Sequence, residues 1–320
     1  AYVLNVNPSP PYRYRNRMDL VTAFGKMGLR RAGSFRSVVG LERCPLMQEK
    51  SEKAMTALRG ALEGVDFYDF IGHRGYLRYV VYRQGLFTGD LMVNFVVAQR
   101  ENRLARALMA LEGIADSVSL LAQEGRADLS AGEEFLTVRG GHIEERYDDI
   151  RYRITPNSFF QSNSHTALEA YRLMRSLAGG RVLELYSGVG SISLFVAPAV
   201  SRVTGVEMVE ESVAAAGVNR ELNGADNVEF VSADAADYMA TEPRGFDTLI
   251  LDPPRGGLAP SMRGTVDEGR FGSILYLSCN PLSFRDDVSS FRRWRVDSVE
   301  AFDMFPQTPH VEILARLIPR

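Results

Sequence analysis

Apolar and polar positions along this 320-residue chain change rhythm near residue 153. Before it, residues 12–43 alternate in the strand manner, as in Tyr12-Arg13-Tyr14-Arg15-Asn16-Arg17-Met18, and break at Gly25, Gly28 and Gly33. A helix is predicted over 46–62, stopped by Gly64. Strands at 77–82 and 91–98 and a helix over 101–112 complete a pattern that fits a small α+β domain with a mixed or antiparallel sheet. Beyond 153, short β-rich apolar runs at 182–185, 203–206, 228–231, 248–251 and 274–277 alternate with helical stretches at 191–198 and 210–222. That alternation predicts a parallel, doubly wound α/β sheet. Runs at 296–302 and 311–317 predict an antiparallel C-terminal strand pair closing one edge. Two domains follow, residues 1–153 and 154–320, with 155–163 as the linker into the second.

Composition narrows the class. Hydrophobic content of 45% and charged content of 24% are those of a globular protein, and no apolar stretch reaches bilayer length, so no membrane partner is expected. Cysteines at 44 and 279 alone make no disulfide framework, which favours a reducing, cytoplasmic setting. The net charge of −3 hides an asymmetry: residues 1–43 carry eight bases against two acids, whereas 101–150 carry five bases against eleven acids. A basic face on an otherwise acidic protein suits a docked polyanion, with Arg13, Arg15, Arg17, Arg30 and Arg31 as candidate contacts. The competing account pairs these arginines with the acid-rich 101–150 segment.

Chemistry gathers at predicted strand ends. Asp252-Pro253-Pro254-Arg255 ends one apolar run and Ser278-Cys279-Asn280-Pro281 ends another. In open α/β sheets, that carboxyl edge is where ligands bind. Upstream, Val182-Leu183-Glu184-Leu185-Tyr186-Ser187-Gly188-Val189-Gly190 reads as strand, tight turn and helix start, where glycine lets the backbone approach a ligand and the helix N-terminus offers free N–H groups. Glu207 follows seventeen residues past Gly190, positioned for ribose hydroxyls, and Asp234 follows the next run, within reach of an adenine amino group. Each acid alone reads equally as a solvated loop residue or a helix N-cap. Cys279 at an exposed turn reads as a nucleophile, its thiolate favoured by Arg255, although Arg255 has Asp252 as another partner. Glu312 is a carboxylate inside an apolar strand, and His310 reads as a turn residue.

Together with Asn157-Ser158-Phe159-Phe160-Gln161 and His310-Val311-Glu312, these motifs resemble the RNA (uracil-5-)methyltransferase family, in the family's order and over roughly residues 12–320. The fold implied is a class I methyltransferase sheet with an antiparallel C-terminal strand pair, preceded by the small α+β domain. The resemblance implies a nucleophilic role for Cys279, a general-base role for Glu312, and S-adenosylmethionine contacts at Gln161, Tyr186, Gly188, Gly190, Glu207 and Asp252. Ser191 stands where many members have an Asn, and Asp234 at a position that varies among members. Phe159, Phe160 or Tyr186 are candidates to stack on a base, with core packing an equal reading for the two phenylalanines. The implied reaction is C5 methylation of a uridine in tRNA or rRNA by a monomeric enzyme, with RNA as partner and a flipped-out base as substrate. Some members hold an iron–sulfur cluster on four cysteines. Cys44-Pro45 resembles the last ligand, but the other three would lie upstream, so neither cluster nor metal is expected in the chain as given. Two other readings stay open at this point: methylation of an exocyclic amino group, against which Arg255 and Cys279 argue, and a non-catalytic RNA-binding protein.

Overall fold

The computed structural model describes residues 5–241 and 244–320. It divides into two compact units, residues 12–146 with 153–157 and residues 5–11 with 147–152 and 158–320. The chain's first strand, β1 (Asn5–Asn7), belongs to the larger unit.

The smaller unit contains β2 (Arg17–Ala23), β3 (Lys26–Arg30), β4 (Val38–Gly40), α1 (Glu49–Ala61), β5 (Leu77–Gln84), β6 (Leu91–Val97), α2 (Ala105–Ala110), β7 (Ser117–Ala122) and β8 (Glu133–Arg139). Its sheet runs β4-β3-β2-β5-β6-β7-β8. Only β6 and β7 pair in parallel, and α2 supplies the crossover a parallel pair needs. Central strands β5 and β6 are buried on both faces, and the polar Arg78, Arg83 and Asn94 are buried with them. Met55 and Leu58 of α1 and Ala107 of α2 pack with Val80 and Phe95 in one cluster, and Tyr68, Phe70, Tyr79 and Val81 form another. Cys44 is a buried free thiol within the first of these clusters.

Strands β9 (Ile143–Tyr147) and β10 (Ile150–Ile154) form a separate two-stranded sheet. The larger unit continues with α3 (Ser164–Leu177), β11 (Arg181–Leu185), α4 (Ser191–Val196), β12 (Arg202–Glu207), α5 (Glu210–Leu222), β13 (Val228–Ser232), α6 (Ala235–Ala240) and β14 (Thr248–Leu251). It ends with α7 (Pro260–Glu268), β15 (Ser273–Ser278), α8 (Pro281–Ser290), β16 (Trp294–Phe302) and β17 (Glu312–Pro319). The sheet order is β1-β16-β17-β15-β14-β11-β12-β13.

Strands β11 to β15 are mutually parallel, and β17 runs antiparallel between β15 and β16. The C-terminal pair therefore does not itself form the edge. Strand β1 adds beyond it, parallel to β16, with Val6 opposite Ala301. This pairing also gives residues 5–11 to the larger unit, whereas the sequence rhythm had assigned everything before 153 to the smaller one. The segment read as a linker is ordered by its own contacts. Asn163 caps α3, accepting from the Thr166 N–H, and its Nδ2 donates to Ser9 Oγ at 2.8 Å and to the Met304 carbonyl at 3.0 Å. Phe160 packs in the core with ring centroids 5.4 Å from those of Tyr147 and Tyr152, while Phe159 is 63% exposed.

Candidate active site

Strand order reverses between β11 and β14, and the crevice outside the carboxyl ends there is the ligand site of such sheets. The turn after β11 is built for close approach. Tyr186 has φ +66°, an uncommon conformation for a bulky residue and one that clusters at functional sites. Gly190 has φ +78°, and a Cβ there would stand 2.4 Å from Phe230 Cζ, so only glycine fits. Gly188 has φ +53° and open space where a Cβ would go. Ser187 Oγ is buried without a hydrogen-bond partner. Glu207, at the tip of β12, accepts from the Gly188 N–H at 3.0 Å and the Val209 N–H at 2.9 Å.

Asp252, Cys279 and Glu312 come together at the next strand ends. Ser278 pairs with Ile313 across β15 and β17, so the residues just beyond, Cys279 and Glu312, face one another at the sheet edge. Leu251 pairs with Tyr276, which delivers Asp252 to the same edge. Their electrostatics agree with that placement. Burial, reinforced by Asp252, pushes the Glu312 carboxyl well above its usual range. Burial pushes Asp252 up to about 7. The Cys279 thiol is raised first by burial, then by Glu312 and Asp252, and Arg255 pulls it back down.

The turn carrying Cys279 is tied to the turn carrying Arg255. Asn280 caps α8 through the Leu282 N–H, with Pro281 at the first helical position, and its Nδ2 donates to the Arg255 carbonyl at 3.1 Å. Ser283 Oγ donates to the same carbonyl at 3.1 Å. The Arg255 guanidinium donates to His310 Nδ1 at 3.1 Å rather than pairing with Asp252.

Other expected positions are placed differently. Asp234 accepts from the Ala236 and Asp237 N–H groups as the N-cap of α6, although its charge still reaches Tyr186. Ser191 Oγ is 3.0 Å from Tyr171 Oη. Gln161 is half-buried in the segment before α3. In the smaller unit, β2 begins only at Arg17, and Arg13 has φ +55°, so residues 12–16 are not a regular strand. Burial nevertheless alternates there, with Tyr14 and Asn16 inward. Arg13 lies 3.5 Å from Glu49, Arg17 grips Asp19 with two bonds at 2.8 and 2.9 Å, and Arg30 pairs with Asp128 at 2.8 Å. Arg15 is half-buried and Arg31 exposed.

Two groups escaped sequence reading. Glu184 is buried in β11, pushed up to about 8 by burial and bonded to Ser193 Oγ. A lone acid inside Val182-Leu183-Glu184-Leu185 was the available signal. Asp287 is fully buried and accepts from the Leu258 N–H at 2.9 Å, Arg263 Nε at 2.7 Å and Tyr276 Oη at 2.5 Å. Nothing in its helical neighbourhood marked it. Among the described residues, no cluster of three or more His, Cys, Asp or Glu could hold a metal ion. No helix among them is long and apolar enough to cross a membrane.

A reversed parallel sheet, an antiparallel β17 inserted beside β15 and a glycine turn after the first strand define a class I methyltransferase fold. The tRNA (Uracil-5-)-methyltransferase family matches residues 97–318. The tRNA (uracil(54)-C(5))-methyltransferase of Pyrococcus horikoshii is 35% identical over 319 residues, covering 98% of this chain and 76% of the relative. The 23S rRNA (uracil(747)-C(5))-methyltransferase of the same organism is 34% identical, covering 96% and 74%. The crystal structure of Pyrococcus abyssi tRNA (uracil-54, C5)-methyltransferase in complex with S-adenosyl-L-homocysteine superposes with a TM-score of 0.87 at 34% identity, covering 98% of this chain and 79% of that one. The chain belongs to the RNA uracil-C5 methyltransferase family and is an S-adenosylmethionine-dependent enzyme.

Proposed function

We propose that this enzyme methylates C5 of a uridine in tRNA or rRNA, with Cys279 as nucleophile and Glu312 as base. The observation that carries the reading is the β15–β17 register, which brings thiol and carboxyl to adjoining positions beside Asp252. The glycine turn and its acids fit S-adenosylmethionine. Open space at Gly188 and the orphaned buried Ser187 hydroxyl make a polar cradle, with Glu207 at the strand tip where ribose hydroxyls would be held. Tyr186, Gly190, Asp252 and, from the segment before α3, Gln161 would complete the set. Ser191 and Asp234 have other duties, as partner of Tyr171 and as helix cap, and are weaker contacts. When bound, the cofactor supplies a methyl group on a sulfonium.

The chain's own residues activate the uracil. Addition of the Cys279 thiolate to C6 forms a C–S bond and shifts the C5=C6 electron pair toward C5 and O4, making C5 nucleophilic. After C5 has gained its methyl group, Glu312 takes the C5 proton, the C5=C6 bond reforms and the C6–S bond breaks, returning the thiolate. A carboxylate held in a dry, acidic setting is a stronger base than one in water, which suits Glu312. Among the candidate RNA contacts, the exposed Arg31 would serve a phosphate, whereas Arg13, Arg17 and Arg30 are paired with Glu49, Asp19 and Asp128. The test is mass spectrometry of nucleosides from RNA treated with the enzyme and methyl-labelled cofactor. Labelled 5-methyluridine is expected, and label only on an exocyclic amino group would reject the assignment.

A further inference from the structure

We propose that Phe35, in one loop with Arg31 and Arg36, is a stacking platform for an unpaired nucleotide of the RNA, a surface of the smaller unit distinct from the uracil-methylating residues. It rests on the reading that RNA is the substrate.

The loop 31–37 between β3 and β4 is preformed. The Arg31 N–H donates to the Ser37 carbonyl at 2.9 Å, and the Ser34 N–H donates to the Arg31 carbonyl at 3.0 Å. Beneath it, the Arg30 guanidinium lies 4.2 Å from the Phe35 ring centre and 4.7 Å from that of Phe70. Arg30 also donates to the Phe35 carbonyl at 2.6 Å and to Asp128 at 2.8 Å. Arg30, read from sequence as a phosphate contact, is thus the post on which this loop stands. Phe70 is itself fixed, edge-on to Tyr68 and Tyr79.

Phe35 meets the edge of Phe70 at 6.4 Å yet remains 48% exposed. Next to Phe70 in the chain, Ile71 is 49% exposed, and the Arg74 side chain is 85% exposed. Charge selects the occupant. Residues 20–41 contain Lys26, Arg30, Arg31 and Arg36 and no acid. The nearby acids are already engaged: Asp69 accepts from the Ile71 N–H and lies 3.7 Å from Arg74 Nε, and Asp128 is held by Arg30 and Tyr79. A supported, half-exposed ring in a loop that carries the exposed Arg31 and Arg36 offers a π-surface to a base and cations to its phosphates. An RNA duplex hides its base faces, so the occupant is an unpaired nucleotide. The rigid support means that little ordering entropy opposes binding.

The test measures RNA affinity over a salt series, S-adenosylhomocysteine affinity, melting temperature and steady-state kinetics. The proteins are the wild type, Phe35→Ala, Phe35→Trp and the double variant Arg31→Gln/Arg36→Gln. Phe35→Ala should weaken RNA binding by roughly fivefold or more, with the salt slope unchanged because stacking carries no charge. Phe35→Trp should restore binding. The double variant should flatten the log–log salt slope by about 0.7–0.9 for each phosphate that is no longer neutralised. In each weakened variant the loss should appear in KM, with S-adenosylhomocysteine affinity unchanged. A Phe35→Ala protein that binds RNA as the wild type does, whether or not its melting temperature falls, would overturn the proposal and leave Phe35 as a cover for Arg30. Failure of the wild type to bind or methylate RNA would instead reject the substrate reading itself.

Discussion

Cys279 sits in a field that works against its own ionisation, since burial, Glu312 and Asp252 all favour the neutral thiol, opposed by Arg255 and then by a backbone hydrogen bond. Removing that cation should raise the thiol further. The rising limb of kcat/KM against pH is therefore expected to move to higher pH in Arg255→Gln, and an unmoved limb would mean that Arg255 does not act on the thiolate. Cys279→Ala is expected to abolish methylation while retaining S-adenosylhomocysteine binding. RNA containing 5-fluorouridine should trap the wild type covalently, because fluorine at C5 cannot leave as a proton. Glu312→Gln should permit addition and methyl transfer but stall before elimination, giving protein crosslinked to natural RNA on a denaturing gel; normal turnover by this variant would assign the base elsewhere. Residue type and strand-end position made Cys279 visible in the sequence, whereas Glu312 drew attention only through the family resemblance. Their electrostatic setting was not visible, because it depends on which strand Glu312 joins.

That choice is made at the scale of the element. Had β17 formed the edge beyond β16, Glu312 would have been separated from Cys279 by a whole strand; insertion beside β15 puts them together. The loop after Asp252 is fixed by Asp287 of α8, which binds the Leu258 N–H, Arg263 and Tyr276 from one buried carboxylate. Tyr276→Phe is expected to lower unfolding free energy by about 1–3 kcal/mol in denaturant titrations, because it strips one donor from a buried charge. A change below about 0.5 kcal/mol would mean that the other donors compensate. The parallel strands and α5 were legible because each is a run of uniform rhythm bounded by turn residues. Strand β8 was not, since neither of its faces is buried and no alternation is imposed, and β1 is too short at three residues to carry a period. Asp234 shows why pattern alone does not separate two roles: a strand-end acid is chemically equivalent as ligand or cap, and here a single oxygen, Oδ1, takes both cap bonds.

For the whole molecule, the sequence showed a charge asymmetry that suited either a docked polyanion or internal pairing, and Arg30 with Asp128 joins the two oppositely charged segments inside one unit. The larger unit carries a different burden, a row of acids at one sheet edge whose charges resist burial together. Glu184 is the deepest, raised from 4.5 to about 8 by burial, with Asp252 and Glu207 adding to the rise. Below about pH 4.5 its carboxyl is protonated folded or unfolded, so it contributes no pH dependence. Between that pH and about 8 the native protein keeps a proton that the unfolded chain releases, so stability falls as pH rises and the full cost is present above about 8. At about 1.4 kcal/mol per pH unit this amounts to a few kcal/mol. The melting temperature of the cofactor-free enzyme is therefore expected to drop between pH 5 and pH 8. Glu184→Gln, which cannot ionise and keeps an acceptor for Ser193, should flatten that drop and be more stable than the wild type at pH 8. Parallel melting curves for the two proteins across this range would show that Glu184 stays ionised in the fold, with its charge stabilised by surroundings other than the Ser193 hydroxyl.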